Sequence, residues 1–273
     1  MKQRWIQLTD KMEPHDINEF LATANEALTE SGATIKRYFR QRVRVESKAD
    51  ATPVTIVDQT AEAQIRKVIN RHYPDHGIFG EEHGIERSES HYEWVIDPID
   101  GTKSFISGMP IFGTLIGLTH QSSAKIGVIE MPVLNERWVG AEGQVTTHNG
   151  SACKVSGVET LEQATLYCTE PEMFDPIQLQ RFELLSEQVK LRRFGGDCYC
   201  YGLLASGQID LVVEGRLHFY DVMALIPVVQ GAGGVISDWD GQPLKKDGDG
   251  LVIAAATPRI HEAALEILVQ PSG

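Results

Sequence analysis

Hydrophobic residues near the start of the chain recur at helical spacing. From Asp16 the apolar positions return mostly every three or four residues as far as Phe39, which is the pattern of one face of an α-helix. The pattern predicts a long first helix over this segment. A second helix is predicted from about Thr60 to Tyr73, because Pro74 cannot continue it.

The middle of the chain changes to short apolar runs that are rich in Val, Ile and Gly and are separated by turn residues. A short strand, Gly77–Gly80, is predicted after the second helix, and the strands predicted from Trp94 onward are Trp94–Ile96, Ile111–Leu118, Ile126–Met131 and Arg137–Ala141. Consecutive strands joined by short turns are typical of an antiparallel sheet. We therefore predict an α+β domain over residues 1–157.

After about Glu159 strands and helices alternate, which is typical of an α/β domain. The predicted elements are strands Ala164–Cys168, Leu191–Phe194, Ile209–Glu214 and Gly234–Ser237, and helices Pro176–Val189, Asp197–Ser206 and a segment after Asp221. Pro227 should kink or shorten the last of these helices. Residues 158–273 are predicted to form this second, smaller domain.

The charge balance restricts the function. The 273 residues include 25 Lys and Arg against 38 Asp and Glu, a net charge of −13, which argues against a nucleic-acid surface or a polybasic membrane patch. No apolar run reaches the ~18 residues of a membrane-spanning helix, and the first residues are polar where a secretory signal would be apolar. The four cysteines lack C-x-x-C spacing, so we expect a cytoplasmic protein without disulfides or zinc.

The strongest chemical signal is a strand that runs into two carboxylates, Asp97 and Asp100, followed by Gly101-Thr102-Lys103-Ser104. Carboxylates at the end of a buried strand are costly unless a cation or a hydrogen-bond donor compensates them. A set of oxygen ligands suits Mg²⁺ or Mn²⁺. The motif therefore indicates a candidate metal site.

Two further acidic segments stand at the edges of predicted elements. Glu81 and Glu82 follow the short strand Gly77–Gly80, and Asp221 precedes an apolar run. Alone, the glutamates are more typical of a solvated turn and Asp221 of a helix cap. Together with Asp97 and Asp100 they leave a metal site and these structural roles about equally favoured.

These motifs resemble those of the inositol monophosphatase family of Mg²⁺-dependent phosphomonoesterases. The resemblance extends from the first helix to residue 255, and it is carried in order by Gly80-Glu81-Glu82, by Asp97-Pro98-Ile99-Asp100-Gly101-Thr102, by Tyr220-Asp221 and by Gly231-Ala232-Gly233-Gly234. It implies a layered αβαβα sandwich, two or three Mg²⁺ ions for which Mn²⁺ can substitute, a small phosphorylated metabolite as substrate, and a homodimer.

The resemblance also implies roles for individual residues. The metal ligands it implies are Glu81, Asp97, the backbone carbonyl of Ile99, Asp100 and Asp221. It implies that Thr102, with Glu81, orients and deprotonates the attacking water, that Asp58 lies beside the threonine, and that Lys48 stands where the family often has a lysine. The amides of Gly101 and Thr102, if they open a helix, would bind phosphate oxygens. Bound metal ions would then explain how an acidic protein holds an anion.

The resemblance places the pocket for the leaving alcohol at Gly196, Asp197 and Cys198, and at Glu214. Acids at positions 197 and 214 suit a cationic substrate better than a neutral polyol. The segments 101–108 and 196–207 resemble the histidinol-phosphate phosphatase branch of the family, which implies that Asp197 and Glu214 bind the substrate's ammonium and imidazole groups. Asp197 is also a candidate cap for the helix that follows it.

Three functions remain open from the sequence. The first is a histidinol-phosphate phosphatase, and the second is a phosphatase that acts on inositol 1-phosphate or another sugar phosphate. The third is a metal-binding regulatory partner without catalytic activity. Every expected metal and water-activating position carries a competent residue, which favours an enzyme.

Overall fold

The computed structural model describes residues 14–47 and 53–269. Lys48, considered above, lies outside the described residues. The strands form a two-stranded hairpin, an eight-stranded sheet and a five-stranded sheet. Among the described residues no helix is long and apolar enough to cross a membrane.

The large sheet and the hairpin come from the first part of the chain. Their strands are β1 (Val45–Ser47), β2 (Pro53–Thr55), β3 (Gly77–Gly80), β4 (Gly84–Glu86), β5 (Tyr92–Asp100), β6 (Gly113–His120), β7 (Ser123–Met131), β8 (Glu136–Ala141), β9 (Thr147–His148) and β10 (Ser151–Ala152). The large sheet has the order β10-β9-β8-β7-β6-β5-β3-β4. Strands β5 to β8 pair antiparallel, as predicted, and β3 pairs parallel with β5.

The small sheet comes from the later part of the chain. Its strands are β11 (Thr165–Cys168), β12 (Leu191–Phe194), β13 (Leu211–Glu214), β14 (Val235–Ser237) and β15 (Val252–Ala255), in the order β12-β11-β13-β15-β14. Strand β11 pairs parallel with both of its neighbours, and β15 pairs antiparallel with β13 and β14. The division of the chain near residue 157 stays a prediction.

Eight helices are present in the described parts of the chain. They are α1 (Pro14–Tyr38), α2 (Ile56–His72), α3 (Thr102–Ser107), α4 (Pro176–Ser186), α5 (Tyr199–Ala205), α6 (Phe219–Val222), α7 (Leu225–Gly231) and α8 (Pro258–Leu268). Helices α1 and α2 cover one face of the large sheet, α5 to α7 lie between the sheets, and α4 and α8 cover the far face of the small sheet. The expected αβαβα sandwich is confirmed.

Alternation along the strands explains why both faces of each sheet are covered. In β5, Trp94 packs with α1 and α2 while Val95 packs in the layer between the sheets. In β13, Val212 faces that same layer and Val213 faces α4 and α8. Successive side chains of a strand point to opposite faces, so strands that are apolar at both positions are buried on both sides.

A row of glycines lets α7 and the turn before it lie close to the large sheet. Gly127 of β7 pairs with Gly140 of β8. A Cβ atom would lie 1.9 Å from the Ala224 oxygen at Gly127 and 2.4 Å from the Pro227 carbonyl at Gly140. Only glycine permits this approach of two backbones. The close approach lets the segment that follows Asp221 pack directly on the sheet.

Several predicted boundaries were wrong. Helix α2 begins at Ile56 because Thr55 and Asp58 form a capping box there, so the predicted start at Thr60 was late. The predicted helix after Asp221 is divided into α6 and α7, and Pro227 occupies the first turn of α7, where its missing N–H removes no intrahelical bond. Strand β15 and helix α8 were not predicted.

Candidate active site

A β-bulge turns two carboxylates of β5 toward the same side of the sheet. Asp97 pairs with Leu115 of β6, and Asp100 pairs with Gly113, so three steps along β5 match two along β6. In a regular strand, residues three apart point to opposite faces. The bulge adds one residue to β5, in a segment that contains Pro98, and so turns Asp97 and Asp100 to the same side of the sheet. Their carboxylate oxygens accordingly lie within 4.8 Å of each other.

The third carboxylate of this cluster comes from α6. Asp221 stands at the third position of that helix and accepts a hydrogen bond from the His218 N–H at 2.6 Å. One carboxylate oxygen from each of Asp97, Asp100 and Asp221 lies within 4.8 Å of the others. We call these three residues the carboxylate cluster. The structure thus brings together residues that are more than a hundred positions apart in the sequence.

Burial and mutual repulsion dominate the electrostatics of the carboxylate cluster. Burial raises the pKa of Asp97 and Asp100 well above the usual range, and the neighbouring acids raise it further. Burial likewise raises the pKa of Asp221 to about 7. In the described parts of the chain no Lys or Arg forms an ion pair with these three residues. An all-oxygen donor set whose charges lack a protein counterion fits a hard divalent cation such as Mg²⁺.

Glu81 joins this cluster from the turn between β3 and β4. Its backbone N–H donates to the Ile96 carbonyl at 3.1 Å, which extends the pairing of β3 with β5. Its side chain forms a hydrogen bond with that of Asp97, and both this hydrogen bond and the charge of Glu81 raise the pKa of Asp97. Glu81 and Ile99 line the same cavity as the carboxylate cluster.

Thr102 links the cluster to α2. Helix α3 begins at Thr102 with Gly101 at its N-cap, as expected. The Thr102 hydroxyl donates to the Ile99 carbonyl at 3.1 Å and lies 3.4 Å from the Asp58 carboxylate. Asp58 is fully buried behind Thr102, accepts hydrogen bonds from both the N–H and the hydroxyl of Thr55, and has a pKa that burial raises.

A cavity of about 230 Å³ connects the carboxylate cluster with residues from the later part of the chain, which forms the small sheet. Glu214 lies there fully buried, and it accepts hydrogen bonds from Tyr201 at 2.8 Å and from the N–H and hydroxyl of Thr169. Burial raises the pKa of Glu214 to about 7. Of the expected pocket residues, Asp197, Cys198 and Glu214 line the cavity, and Gly196 does not.

The interpretation of Asp197 as a helix cap was wrong. Cys198 occupies the N-cap position of α5, and no side chain caps that helix. The Asp197 carboxylate accepts a hydrogen bond from the Ser104 hydroxyl of α3 at 2.9 Å. Burial raises the pKa of Asp197 to about 6. The neighbouring Cys198 N–H donates to Asp100, so this segment contacts both the carboxylate cluster and α3.

The sequence analysis missed several residues that line the cavity. Lys103 of α3 forms an ion pair with Glu170, which follows strand β11 of the small sheet. Arg216 lines the cavity with a left-handed backbone, at φ 56°, and His218 lines it as well. The position of Lys103 directly after Thr102 was a usable signal, whereas nothing in the sequence points to Glu170 or Arg216.

Comparisons with known proteins agree with this geometry. Residues 16–271 match the model of the inositol monophosphatase family. The bifunctional phosphatase IMPL2, chloroplastic, of Arabidopsis thaliana is 41% identical, over 93% of this chain and 76% of that protein. A histidinol-phosphatase of Chlorobaculum parvum is 39% identical, over 86% of this chain and 91% of that protein.

A solved structure gives the same result. An inositol monophosphatase from Zymomonas mobilis superposes with a TM-score of 0.86 at 37% identity, covering 95% of this chain and all of that one. The family match over nearly the whole chain and the shared fold agree with the grouping of acids in one cavity. The chain therefore belongs to the inositol monophosphatase family and is a phosphatase of that family.

Proposed function

We propose that the protein hydrolyses L-histidinol phosphate to L-histidinol and phosphate in a Mg²⁺-dependent reaction. One observation carries the proposal: the carboxylate cluster shares its cavity with two further acids, the partly buried Asp197 and the buried Glu214. The similarity to the histidinol-phosphatase of Chlorobaculum parvum supports the same substrate.

The acids of the first domain and Asp221 are the proposed metal ligands. The set consists of Glu81, Asp97, the Ile99 carbonyl, Asp100 and Asp221. Mg²⁺ bound there would neutralise phosphate charge and lower the pKa of a bound water. Because burial and repulsion raise the pKa values of the carboxylate cluster, a cation also relieves an unfavourable charge arrangement within the protein.

Thr102 and Glu81 are the proposed catalytic residues. The Thr102 hydroxyl donates a hydrogen bond to the Ile99 carbonyl, which leaves an oxygen lone pair free to accept a hydrogen bond from the attacking water. Glu81 then accepts the proton that the water loses. Asp58, held by Thr55 behind Thr102, keeps the hydroxyl in place. We assign phosphate binding to Gly101 and Thr102, which line the cavity where α3 begins.

Asp197 and Glu214 are the proposed contacts for the leaving group, and Gly196 and Cys198 shape the backbone beside them. Burial disfavours the ionised form of both acids, and a cationic group in the cavity would favour it again. The ammonium and imidazole of histidinol offer such charge, whereas a polyol offers only hydroxyl groups. The pocket therefore favours a cationic alcohol over a neutral one.

The second candidate substrate is inositol 1-phosphate. It is favoured by the similarity to the inositol monophosphatase from Zymomonas mobilis. The proposed metal ligands and the water-activating residues serve both substrates equally. The two candidates therefore differ only at the second-domain end of the cavity.

Steady-state kinetics with Mg²⁺ on both phosphate esters tests the proposal. We expect a higher kcat/KM for histidinol phosphate and no turnover of either ester after EDTA treatment. Asp197→Ala should lower kcat/KM about 10- to 100-fold for histidinol phosphate, the size expected for a lost hydrogen bond to a charged group, and should change it little for inositol 1-phosphate.

The matched control is Ser104→Ala, which removes the hydroxyl partner of Asp197 and keeps its charge. We expect this variant to retain the preference for histidinol phosphate. A wild-type protein that prefers inositol 1-phosphate, or an Asp197→Ala variant that affects both esters equally, would contradict the proposed specificity.

A further inference from the structure

The turn that carries Glu81 is hydrogen-bonded to the side chain of another acid, Glu62 of α2. It joins β3 to β4, and Gly80 pairs with Gly84 across it. The backbone N–H groups of Glu82 and His83 donate to the Glu62 carboxylate of α2 at 2.6 and 3.1 Å. The two residues that follow Glu81 are therefore tied to a side chain that is not itself part of the cavity lining.

Glu62 belongs to a row of polar residues on α2. Asp58, Glu62 and Arg66 stand four positions apart, so they lie along one face of the helix. Asp58 lies beside Thr102, Glu62 binds the turn after Glu81, and Arg66 donates to Glu62 at 2.7 Å. Arg66 also donates to the Gly84 carbonyl and lies 3.4 Å from the Glu86 carboxylate. One face of α2 thus supports both residues that we propose to act on the water.

Glu62 is a buried carboxylate whose charge is compensated by its neighbours. Its side chain is 0% exposed, and that of Arg66 is 11% exposed. A buried carboxylate is tolerated when charge and hydrogen bonds compensate it, which here come from one guanidinium and two backbone amides. Gly80 permits the close approach, since a Cβ atom at that position would lie 2.1 Å from a Glu62 oxygen.

We propose that Glu62 is a positioning residue for Glu81. Strand β5 binds the Glu81 N–H through the Ile96 carbonyl, and Glu62 binds the N–H groups of the two residues that follow Glu81. The backbone is thus fixed on both sides of Glu81, and this holds the Glu81 carboxylate toward Asp97. Arg66 supports Glu62 by neutralising its buried charge. This inference rests on the proposed metal-dependent hydrolysis and adds to it a residue outside the cavity.

Metal binding measured by calorimetry tests the inference, with Mn²⁺ as the probe. Outer partners of metal ligands typically contribute about 10- to 100-fold to metal affinity. We expect Glu62→Gln to raise the Mn²⁺ dissociation constant by a factor in this range. At saturating Mn²⁺, kcat should fall while KM for the phosphate ester stays near the wild-type value. Arg66→Gln should shift both values in the same direction by less, because the two amide bonds remain.

The chain offers a matched control in another buried acid. Glu130 is 7% exposed and pairs with Arg137, which also contacts Asn25 of α1, and neither Glu130 nor Arg137 lines the cavity. Glu130→Gln should lower the melting temperature as Glu62→Gln does, yet leave the Mn²⁺ dissociation constant within about twofold of wild type.

The outcomes separate the two proposals. If Glu62→Gln lowers only the melting temperature and binds Mn²⁺ like wild type, Glu62 has a purely structural role and the inference is wrong. If Glu62→Gln fails to fold, the affinity of Arg66→Gln decides by the same criterion. If the wild-type protein binds Mn²⁺ but hydrolyses no phosphate ester, the proposed function fails, while the difference in affinity between Glu62→Gln and Glu130→Gln still tests the positioning role.

Discussion

The two ends of the cavity treat their carboxylates differently. At one end, Asp97 and Asp221 accept hydrogen bonds from the backbone, from the Ile99 and His218 N–H groups, and the charges of nearby acids raise their pKa values. At the other end, Glu214 is hydrogen-bonded by Thr169 and Tyr201, and Asp197 by Ser104. The carboxylate cluster therefore groups like charges with which no Lys or Arg of the described residues forms an ion pair, whereas side-chain hydroxyl groups bind the acids at the other end. A substrate cation must compete with these existing hydrogen bonds.

This difference separates reaction from selectivity. A cluster of carboxylates that repel one another favours a cation as its ligand, and the chemistry at that end would follow from the bound cation. A pocket whose acids are already hydrogen-bonded selects among alcohols by the groups that displace or extend the existing bonds. We place the hydrolysis at the carboxylate cluster and the choice of substrate at the end of the cavity that carries Asp197 and Glu214.

The largest expected effect comes from breaking the cluster with Asp97→Asn. Turnover should fall by at least about 10²-fold, since a charge that holds the cation is lost. Without metal the variant should be more stable than wild type, because the substitution removes a repelled, buried carboxylate. Thermal unfolding with and without Mg²⁺ checks this. Wild type should gain about 2.7 kcal/mol at 100 times the dissociation constant, and the variant much less.

The exposed Asp240 provides the control for that experiment, since it lies in a turn after β14 and does not line the cavity. Asp240→Asn should keep both turnover and the stabilisation by Mg²⁺. An Asp97→Asn protein that Mg²⁺ stabilises as much as wild type would contradict the assignment of the carboxylate cluster as the metal site.

A second test sharpens the assignment of the catalytic residues beside the cluster. Thr102→Val keeps the shape of the side chain and removes the hydroxyl that orients the water, so kcat should fall about 10²- to 10⁴-fold. Thr102→Ser retains the hydroxyl and should stay within about tenfold of wild type. Single-turnover kinetics at saturating Mg²⁺ measures this effect, and equal rates for the Val and Ser variants would exclude a role for the hydroxyl.

The smallest expected effect concerns stability at the pocket end. Burial raises the pKa of Glu214 from 4.5 to about 7, so between these values the folded protein keeps a proton that the unfolded chain releases. The contribution of Glu214 to stability therefore falls as pH rises through this window. Glutamine does not titrate, so the variant does not lose this contribution as the pH rises. The melting temperature of Glu214→Gln minus that of wild type should therefore increase by a few degrees between pH 5 and pH 8.

Melting curves in EDTA across that pH range provide the measurement, with the exposed Glu172→Gln as the control. The control difference should stay constant with pH. A constant difference for Glu214→Gln as well would show that Glu214 titrates alike in the folded and unfolded states, and that burial does not disfavour its charge.

Much of the secondary structure could be predicted because local patterns determine it. The predicted bounds of β3 and β12 agree with the structure. Pro74 and Asp75 precede β3, and two glycines follow β12, so residues that favour turns mark one end of each strand. The start of α2 was missed although Thr55 and Asp58 have capping-box spacing. Helix α8 was missed although Thr257 caps it and Pro258 occupies its first position, so here the signal was present and was not used.

The identities of the acids in the site could be predicted, but their geometry could not. A spacing of three places Asp97 and Asp100 on opposite faces of a regular strand, and only the pairing of β5 with β6 shows the bulge that reunites them. Glu62 was missed because its partners, the amides after Glu81, are backbone groups whose position depends on how α2 packs beside β3.

The sequence by itself determined the types of element, their order and the presence of acids at element ends, because these depend on side-chain periodicity and on residues close in the chain. The tertiary structure decided which acids meet, through the bulge at Pro98 and the glycine row that seats the segment after Asp221. It also decided which acids form no ion pair with a Lys or Arg of residues 14–47 and 53–269. That depends on neighbours distant in sequence, because a carboxylate's energy depends on the charges and donors within a few ångströms of it.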